Sequence, residues 1–335
     1  MRKLFISSLF LSLLVVFAGC DKRGRNDIYP PGIQDNIIEV AQTDPELSVF
    51  VAALKVAGMD TTFESLGFVT VLAPTNAAFS AIGINASNVG TALPVATLRA
   101  VLRYHMLGGS VPAANLAPGP NASYTTLQND AILTSTYSSV NPGTWFNGRA
   151  RVLKADIKAN NGIIHKINGV LLPPPGNLWQ TINANTNLTF LAAAITRAGL
   201  VSVFDAAQTA TVPGYVLFAP TNAAFQAAGY ADIAAINAAP VATLGSILGY
   251  HAISSTTLNA VVGTPLGLRG RLFSVDLRDG MSLPTIALGS PTITVSTTGT
   301  PGVRGTANTS NCNITAADQI ARNGVIHVID RVLLR

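Results

Sequence analysis

Cysteine is nearly absent from this chain, with Cys20 and Cys312 the only two in 335 residues. Once Cys20 is claimed by the N-terminal signal described below, no intramolecular disulfide can form. The fold must then stand on apolar burial alone, even in an exported setting that permits disulfides. Charge is scarce as well: Asp, Glu, Lys and Arg make up 11% of the chain against 48% hydrophobic residues, a balance that excludes a disordered polymer. The formal net charge of +5 falls to +3 when residues 1–19 are removed, because two basic residues and no acidic ones leave with them. So mild an excess gives no footprint for nucleic acid, which needs clustered Lys and Arg. Also missing are a G-x-S-x-G elbow, an H-E-x-x-H or C-x-x-C pair, paired carboxylates and a Gly-rich loop opening a helix. Nucleophilic hydrolysis and phosphate binding are left without their usual residues, and no cofactor is implied.

What is present begins with MRKLFISSLFLSLLVVFAGC. Arg2 and Lys3 precede an apolar run from Leu4 to Phe17, too short for a comfortable membrane span, and Ala18-Gly19 leads to Cys20. A small-small-Cys ending resembles a bacterial lipobox, with Phe17 departing from the usual leucine. Residues 1–19 therefore read as a lipoprotein signal peptide, Cys20 as the lipidated first residue, and 20–33 as a tether. The expected product is exported and held to the cell envelope by its lipid, at the outer membrane or cell surface, each buried CH₂ contributing about 0.8 kcal/mol. Asp21-Lys22 stands where lipoprotein sorting is often read.

The string APTNAAF occurs at Ala73 to Phe79 and again at Ala219 to Phe225, 146 residues apart. Tyr104-His105 and Tyr250-His251 keep that offset, whereas NGIIHKINGVLL (161–172) and NGVIHVIDRVLL (323–334) stand 162 apart. The chain is thus a duplication, with domains expected at 34–174 and 177–335 around the stiff junction Pro173 to Gly176. The 16 extra residues of the second copy are expected within the Gly/Thr/Ser/Pro-rich region 262–311, as loops and an elaborated hairpin. Each unit is expected to open with an amphipathic helix: Leu47, Phe50, Val51 and Leu54 follow helical spacing before Gly58, and Leu188, Leu191 and Ile195 do so before Gly199. Next comes a β-rich run ended by Pro74 or Pro220, which cannot donate to a sheet ladder. Thr75-Asn76 and Thr221-Asn222 are N-cap types, and Phe79 and Phe225 turn into the core, so the repeated string reads as a strand-to-helix corner. A catalytic threonine would need a base nearby, and none is local.

All four histidines lie in the repeated landmarks. His105 and His251 extend the apolar stripe of a helix, while His165 shares a strand face with Ile163 and Ile167, and His327 with Val325 and Ile329. Buried, neutral and bonded on both nitrogens, each would clamp backbone segments together. The competing reading, a metal site, would add Asp156 or Asp318, nine residues before each strand histidine, but lacks a ligand signature.

Taken together, the Pro-terminated strand, the Tyr-His pair and the NGVIH strand resemble the fasciclin (FAS1) domain, twice. The resemblance implies an α+β fold in which a wedge of β-strands packs with a group of helices, and secreted or anchored adhesion modules without catalysis. In animal matrix members an Asp-Ile pair before the NGVIH strand is associated with receptor binding. The matching positions are Asp156-Ile157, whereas the second copy has Asp318-Gln319; the pair equally suits an ordinary hairpin strand. The expected role is a non-enzymatic adhesion or binding module with a protein or polysaccharide partner outside the cytoplasm. The alternatives are a carrier for an apolar pigment or lipid, suggested by a mean hydropathy of +0.39, and a metal-dependent enzyme. Cys312 reads as an unreactive thiol near a strand, or, if exposed, as a cross-linking site.

Overall fold

The computed structural model describes residues 34–61, 67–116, 120–135, 143–209, 213–262 and 271–335. The signal, the tether and Cys20 lie outside these residues. Among the described residues no helix is long and apolar enough to cross a membrane, and the hydrophobic clusters are closed by residues from Ile37 onward.

Domain 1 carries helices α1 (Ile37–Gln42), α2 (Ser48–Val56), α3 (Asn76–Ser80) and α4 (Val95–Tyr104). Its strands are β1 (Val69–Pro74), β2 (Met106–Gly108), β3 (Pro120–Thr125), β4 (Ala131–Ser135), β5 (Trp145–Phe146), β6 (Ala150–Ala159) and β7 (Gly162–Ile167). Domain 2 repeats the pattern with α5 (Leu178–Asn183), α6 (Thr189–Arg197), α7 (Val201–Asp205), α8 (Asn222–Ala227), α9 (Ile233–Ala238), α10 (Val241–His251) and α11 (Ser255–Val262). Its strands are β8 (Tyr215–Pro220), β9 (Ala252–Ser254), β10 (Ser282–Pro284), β11 (Thr292–Ser296), β12 (Gly302–Arg304), β13 (Cys312–Ala321) and β14 (Gly324–Ile329).

Seven strands form each sheet, in the order β2-β1-β7-β6-β5-β4-β3 and, from its other end, β9-β8-β14-β13-β12-β11-β10. At the centre β1 runs parallel to β7, and β8 to β14. β1, β7 and β14 are buried at every position, which is why their sequences read as almost unbroken apolar runs. Alternation distributes them between two cores: Val71 and Ala73 enter the helix-side cluster of domain 1, while Leu72 enters the opposite one. Leu217 and Ala219 against Val216 and Phe218 do the same in domain 2.

Two expectations about local structure are corrected. The amphipathic helix does not open either unit; α1 and α5 precede it, each started by a capping box, Asn36 with Glu39 and Asn177 with Gln180. Six residues are less than two turns, too few for periodicity to register. Leu47 and Leu188 lie in the 3₁₀ turns leading into α2 and α6. The insertion also starts earlier than expected, overlapping only the first part of 262–311. β10 to β12 are the counterparts of β3 to β5, so the Thr/Gly-rich stretch is shared architecture. The offset has already grown from 146 to 161 by the segment that accepts from the strand histidine, Val111 in one domain and Leu272 in the other. Most of the added length therefore falls between β9 and Leu272, where α11 stands and residues 263–270 lie outside the described set.

The repeated Thr-Asn has a division of labour. Thr75 and Thr221 cap their own helices, each Oγ1 accepting from the N–H of the third residue on, at 3.2 Å. Asn76 caps a different helix: α2 follows Leu47, which offers no side-chain cap. Asn76 Oδ1 accepts from Val49 N at 2.9 Å, and its Nδ2 donates to Pro45 O and Ser48 Oγ. Asn222 repeats this on Phe190, Thr186 and Thr189.

Asn76→Ala is therefore expected to destabilise domain 1 by about 1–3 kcal/mol in urea unfolding, at least as much as Thr75→Ala. A loss confined to Thr75→Ala would show that the remote cap contributes nothing.

Candidate functional site

His105 ends α4 and is 1% exposed. Its Nδ1 lies 2.8 Å from Val101 O one turn earlier, and its Nε2 lies 2.9 Å from Leu171 N. An amide N–H can only donate, so Nε2 carries the lone pair and Nδ1 the proton. His165 on β7 holds the opposite tautomer: Nδ1 accepts from Asp156 N at 3.2 Å and Nε2–H donates to Val111 O at 2.9 Å. Domain 2 copies both. His251 Nδ1–H donates to Ile247 O at 2.7 Å and Nε2 accepts from Leu333 N at 2.8 Å. His327 Nδ1 accepts from Asp318 N, its Nε2–H donates to Leu272 O at 2.8 Å, and its ring stacks on Phe218.

Each ring thus ties together segments far apart in sequence. Every imidazole lone pair is already taken by an amide N–H, so none of the four can ligate a metal without breaking a backbone clamp. Among the described residues no group of three His, Cys, Asp or Glu side chains could hold a metal ion.

Tyr104 and Tyr250, the neighbours of the helix histidines, are similarly engaged. Tyr104 Oη donates to Ala131 O and accepts from Asn147 Nδ2, both at 2.9 Å. Tyr250 Oη donates to Thr292 O and accepts from Thr306 N. Burial raises the Tyr104 hydroxyl well above its ordinary pKa, with the Asn147 hydrogen bond opposing in part.

Asp156 and Asp318 sit at β-bulges with φ of 56° and 57°, a left-handed conformation that aspartate tolerates better than most residues. Their carboxylates accept from Ala113 N at 2.9 Å and Ser274 N at 2.7 Å, and Ser274 Oγ also bonds Asp318. Asp156 is exposed, whereas Ile157 is half-buried against the helix-side core and lines a groove of about 260 Å³ with Val40, Leu47 and Ile164. The pair is not displayed as a unit: the carboxylate holds a loop and the isoleucine packs. Between the domains, Arg322 Nε reaches Asp130 Oδ1 at 2.9 Å across a cleft of about 490 Å³ that Asn177, Gln180, Asp205 and Arg271 also line.

Sequence reasoning passed over Asn161 and Asn323, which accept from Ile37 N and Leu178 N and so fasten the first helix of each domain to the sheet. Their repetition inside the NG landmark was the available signal. It also missed the cluster in which Lys166 Nζ, 2.8 Å from Asp44 Oδ2, bonds Glu46 as well. The hydrogen bond to Lys166 holds the Asp44 carboxyl below its ordinary value. Cys312 is fully buried, and burial pushes its thiol up to about 12, so the cross-linking alternative is excluded.

The Fasciclin domain family matches residues 45–173 and 186–335. The chain belongs to the fasciclin domain family. It is 29% identical over 274 residues to pig transforming growth factor-beta-induced protein ig-h3, a match covering 81% of this chain and 35% of the pig protein. It is 37% identical over 141 residues to protein sll1483 of Synechocystis sp., covering 41% of this chain and 73% of that one. Against the fasciclin-like arabinogalactan protein elcF of Phaeosphaeria nodorum it is 25% identical over 305 residues, with 87% and 86% covered. The chain thus spans about a third of the pig relative and most of the fungal one. Its architecture is two tandem FAS1 domains of α+β type.

Burial lowers the pKa of His105 and of His251 from 6.5 to about 4, opposed in part by the backbone hydrogen bond each ring makes. Both rings are neutral when folded and protonate more readily once unfolded, so their contribution is complete above about pH 6.5 and is lost as pH falls through about 4. Stability should stay level at neutral pH and fall between pH 6.5 and 4, by about 3 kcal/mol per domain, with the thermal midpoint falling alongside it. A midpoint insensitive to that window would mean that the rings are charged or exposed. Iodoacetamide should leave Cys312 unmodified in the native chain and label it after denaturation; native labelling would contradict its burial.

Proposed function

We propose that this chain is an exported, lipid-anchored protein whose two fasciclin domains act as non-catalytic adhesion modules, binding proteins or polysaccharides outside the cytoplasm. The observation that carries this reading is the engagement of its candidate chemical groups: four imidazoles, two tyrosine hydroxyls and two aspartates hold backbone segments rather than converge on a substrate. The lipobox ending at Cys20 supports the anchor. The fungal relative's name supports a glycan-rich exterior as the setting. Two domains on one anchor would raise avidity through effective concentration without strong single contacts.

The test is made in the producing cell. Palmitate label should depend on Cys20, being lost in Cys20→Ala, and protease on intact cells should cleave the labelled protein. Deleting the gene should lower adhesion to cells, matrix or glycans, and the purified chain should restore it. Asp156→Asn, which retains the left-handed preference and removes the charge, should leave adhesion unchanged unless the Asp-Ile pair is itself the contact. Absence of label would remove the anchor; absence of any adhesion change would remove the proposed role.

A further inference from the structure

The duplication is an internal control on which charges the fold requires. Asp156 and His165 align with Asp318 and His327, which sets the register of the long hairpins. On that register Lys166 corresponds to Val328, and its partners Asp44 and Glu46 correspond to Asn185 and Asn187, placed by their matching 3₁₀ turns. That ion cluster is present in one domain and absent from the other as a set, so its partners account for Lys166. Arg149, Arg151 and Lys154 correspond to Asn311, Asn313 and Ala316. All three cations are exposed, and none is ion-paired among the described residues. Domain 2 builds the same strand with the same bulges and none of the three.

Arg149 stands in the turn that leads into β6, and Arg151, two residues on, takes one face of the strand. The extra residue at the register shift between Val152 and Lys154 brings Leu153 and Lys154 onto that face too. Leu153 is 53% exposed where domain 2 has Thr315. The strand's one carboxylate, Asp156, is engaged elsewhere, accepting from Ala113 N. Asp44, close enough to Lys154 to feel its charge, is bonded with Glu46 to Lys166. The result is a bare leucine among three cations that form no salt bridge among the described residues.

We propose that Arg149, Arg151, Leu153 and Lys154 form a strip by which domain 1 lies against an anionic lipid surface, the cations on the headgroups and Leu153 at the acyl boundary. The strip occurs in the domain that follows the N-terminal segment. From Cys20 the tether of residues 20–33 reaches at most about 50 Å when extended, and about 20 Å as a flexible coil. Domain 1 is thereby kept near the membrane, whereas domain 2, one domain further on, carries neutral residues at the same positions. In this respect the inference rests on the anchored reading above. Lys154, on the part of β6 that runs past the two-residue β5, would also discourage pairing with other chains, and the test separates the two roles.

The chain from residue 20 with Cys20→Ser, which retains both complete cores and carries no lipid, would be sedimented with phosphatidylcholine vesicles with and without phosphatidylglycerol. Binding should require phosphatidylglycerol and weaken steeply as salt rises from ~0.1 to ~1 M. Arg149→Gln/Arg151→Gln/Lys154→Gln should reduce it by about tenfold or more at an unchanged thermal midpoint, whereas Arg304→Gln/Arg331→Gln/Arg335→Gln in domain 2 should not. Arg151→Glu/Lys154→Glu keeps a charged strand edge but should abolish binding while the chain stays monomeric. Leu153→Ser should weaken the fraction that survives high salt. Equal binding to both vesicle types, indifference to the domain 1 variants, or retention by an acidic polysaccharide such as alginate without vesicle binding would overturn the proposal. Because this chain carries no lipid, the outcome stands apart from the palmitate result.

Discussion

The structure depends on a parallel strand pair buried on both faces. β1 against β7, and β8 against β14, place two adjacent chains where water cannot serve their backbone or the ends of the segments that cross over them. A sheet centre of this kind is satisfied along its length by its own ladder. At the margins, where loops and the chain's return must end, the partners have to be side chains. Histidine suits the task because one neutral ring offers a donor and an acceptor on opposite edges, so it can join an N–H from one segment to a carbonyl from another. The two rings of each domain use opposite tautomers, since the helix histidine must receive an amide with Nε2 and the strand histidine with Nδ1.

The same requirement explains the aspartates. A bulge in β6 or β13 turns a backbone N–H toward the strand histidine, and the residue there must accept a left-handed φ. Aspartate does so, and its carboxylate then fastens the loop whose neighbouring carbonyl accepts from that histidine. An arrangement that resembles a His-Asp catalytic pair in sequence is in three dimensions a closed circuit of structural hydrogen bonds. Opening it to bind metal or move protons would leave buried amides without partners, at about 1–3 kcal/mol each.

Contacts between the domains come from both. Trp145 of domain 1 packs against a core cluster of domain 2, Gly148 leaves room for Phe273 where a Cβ would stand 2.5 Å from that side chain, and Asp130 meets Arg322. The two copies have meanwhile diverged on their surfaces. The Lys166 cluster and the cations before and along β6 belong to the first copy, and α11 extends the second. Divergence in charge and in inserted length on a common frame is the pattern expected when one domain type comes to meet different surroundings.

The sequence by itself determined the duplication, the proline-stopped strands, the threonine caps and the burial of the histidines. Each is written in local periodicity, a proline stop or a repeated string. It also conveyed the fasciclin architecture, because several landmarks recur in one order. Only the tertiary structure decided that Asn76 caps a helix that starts near Ser48, that Ile157 packs while Asp156 holds a loop, that Lys166 answers Asp44 and Glu46, and that the insertion precedes Leu272. Those partners lie tens to more than a hundred residues apart, and no spacing rule along the chain encodes a hydrogen bond that exists only after two segments have been brought together by burial of their neighbours.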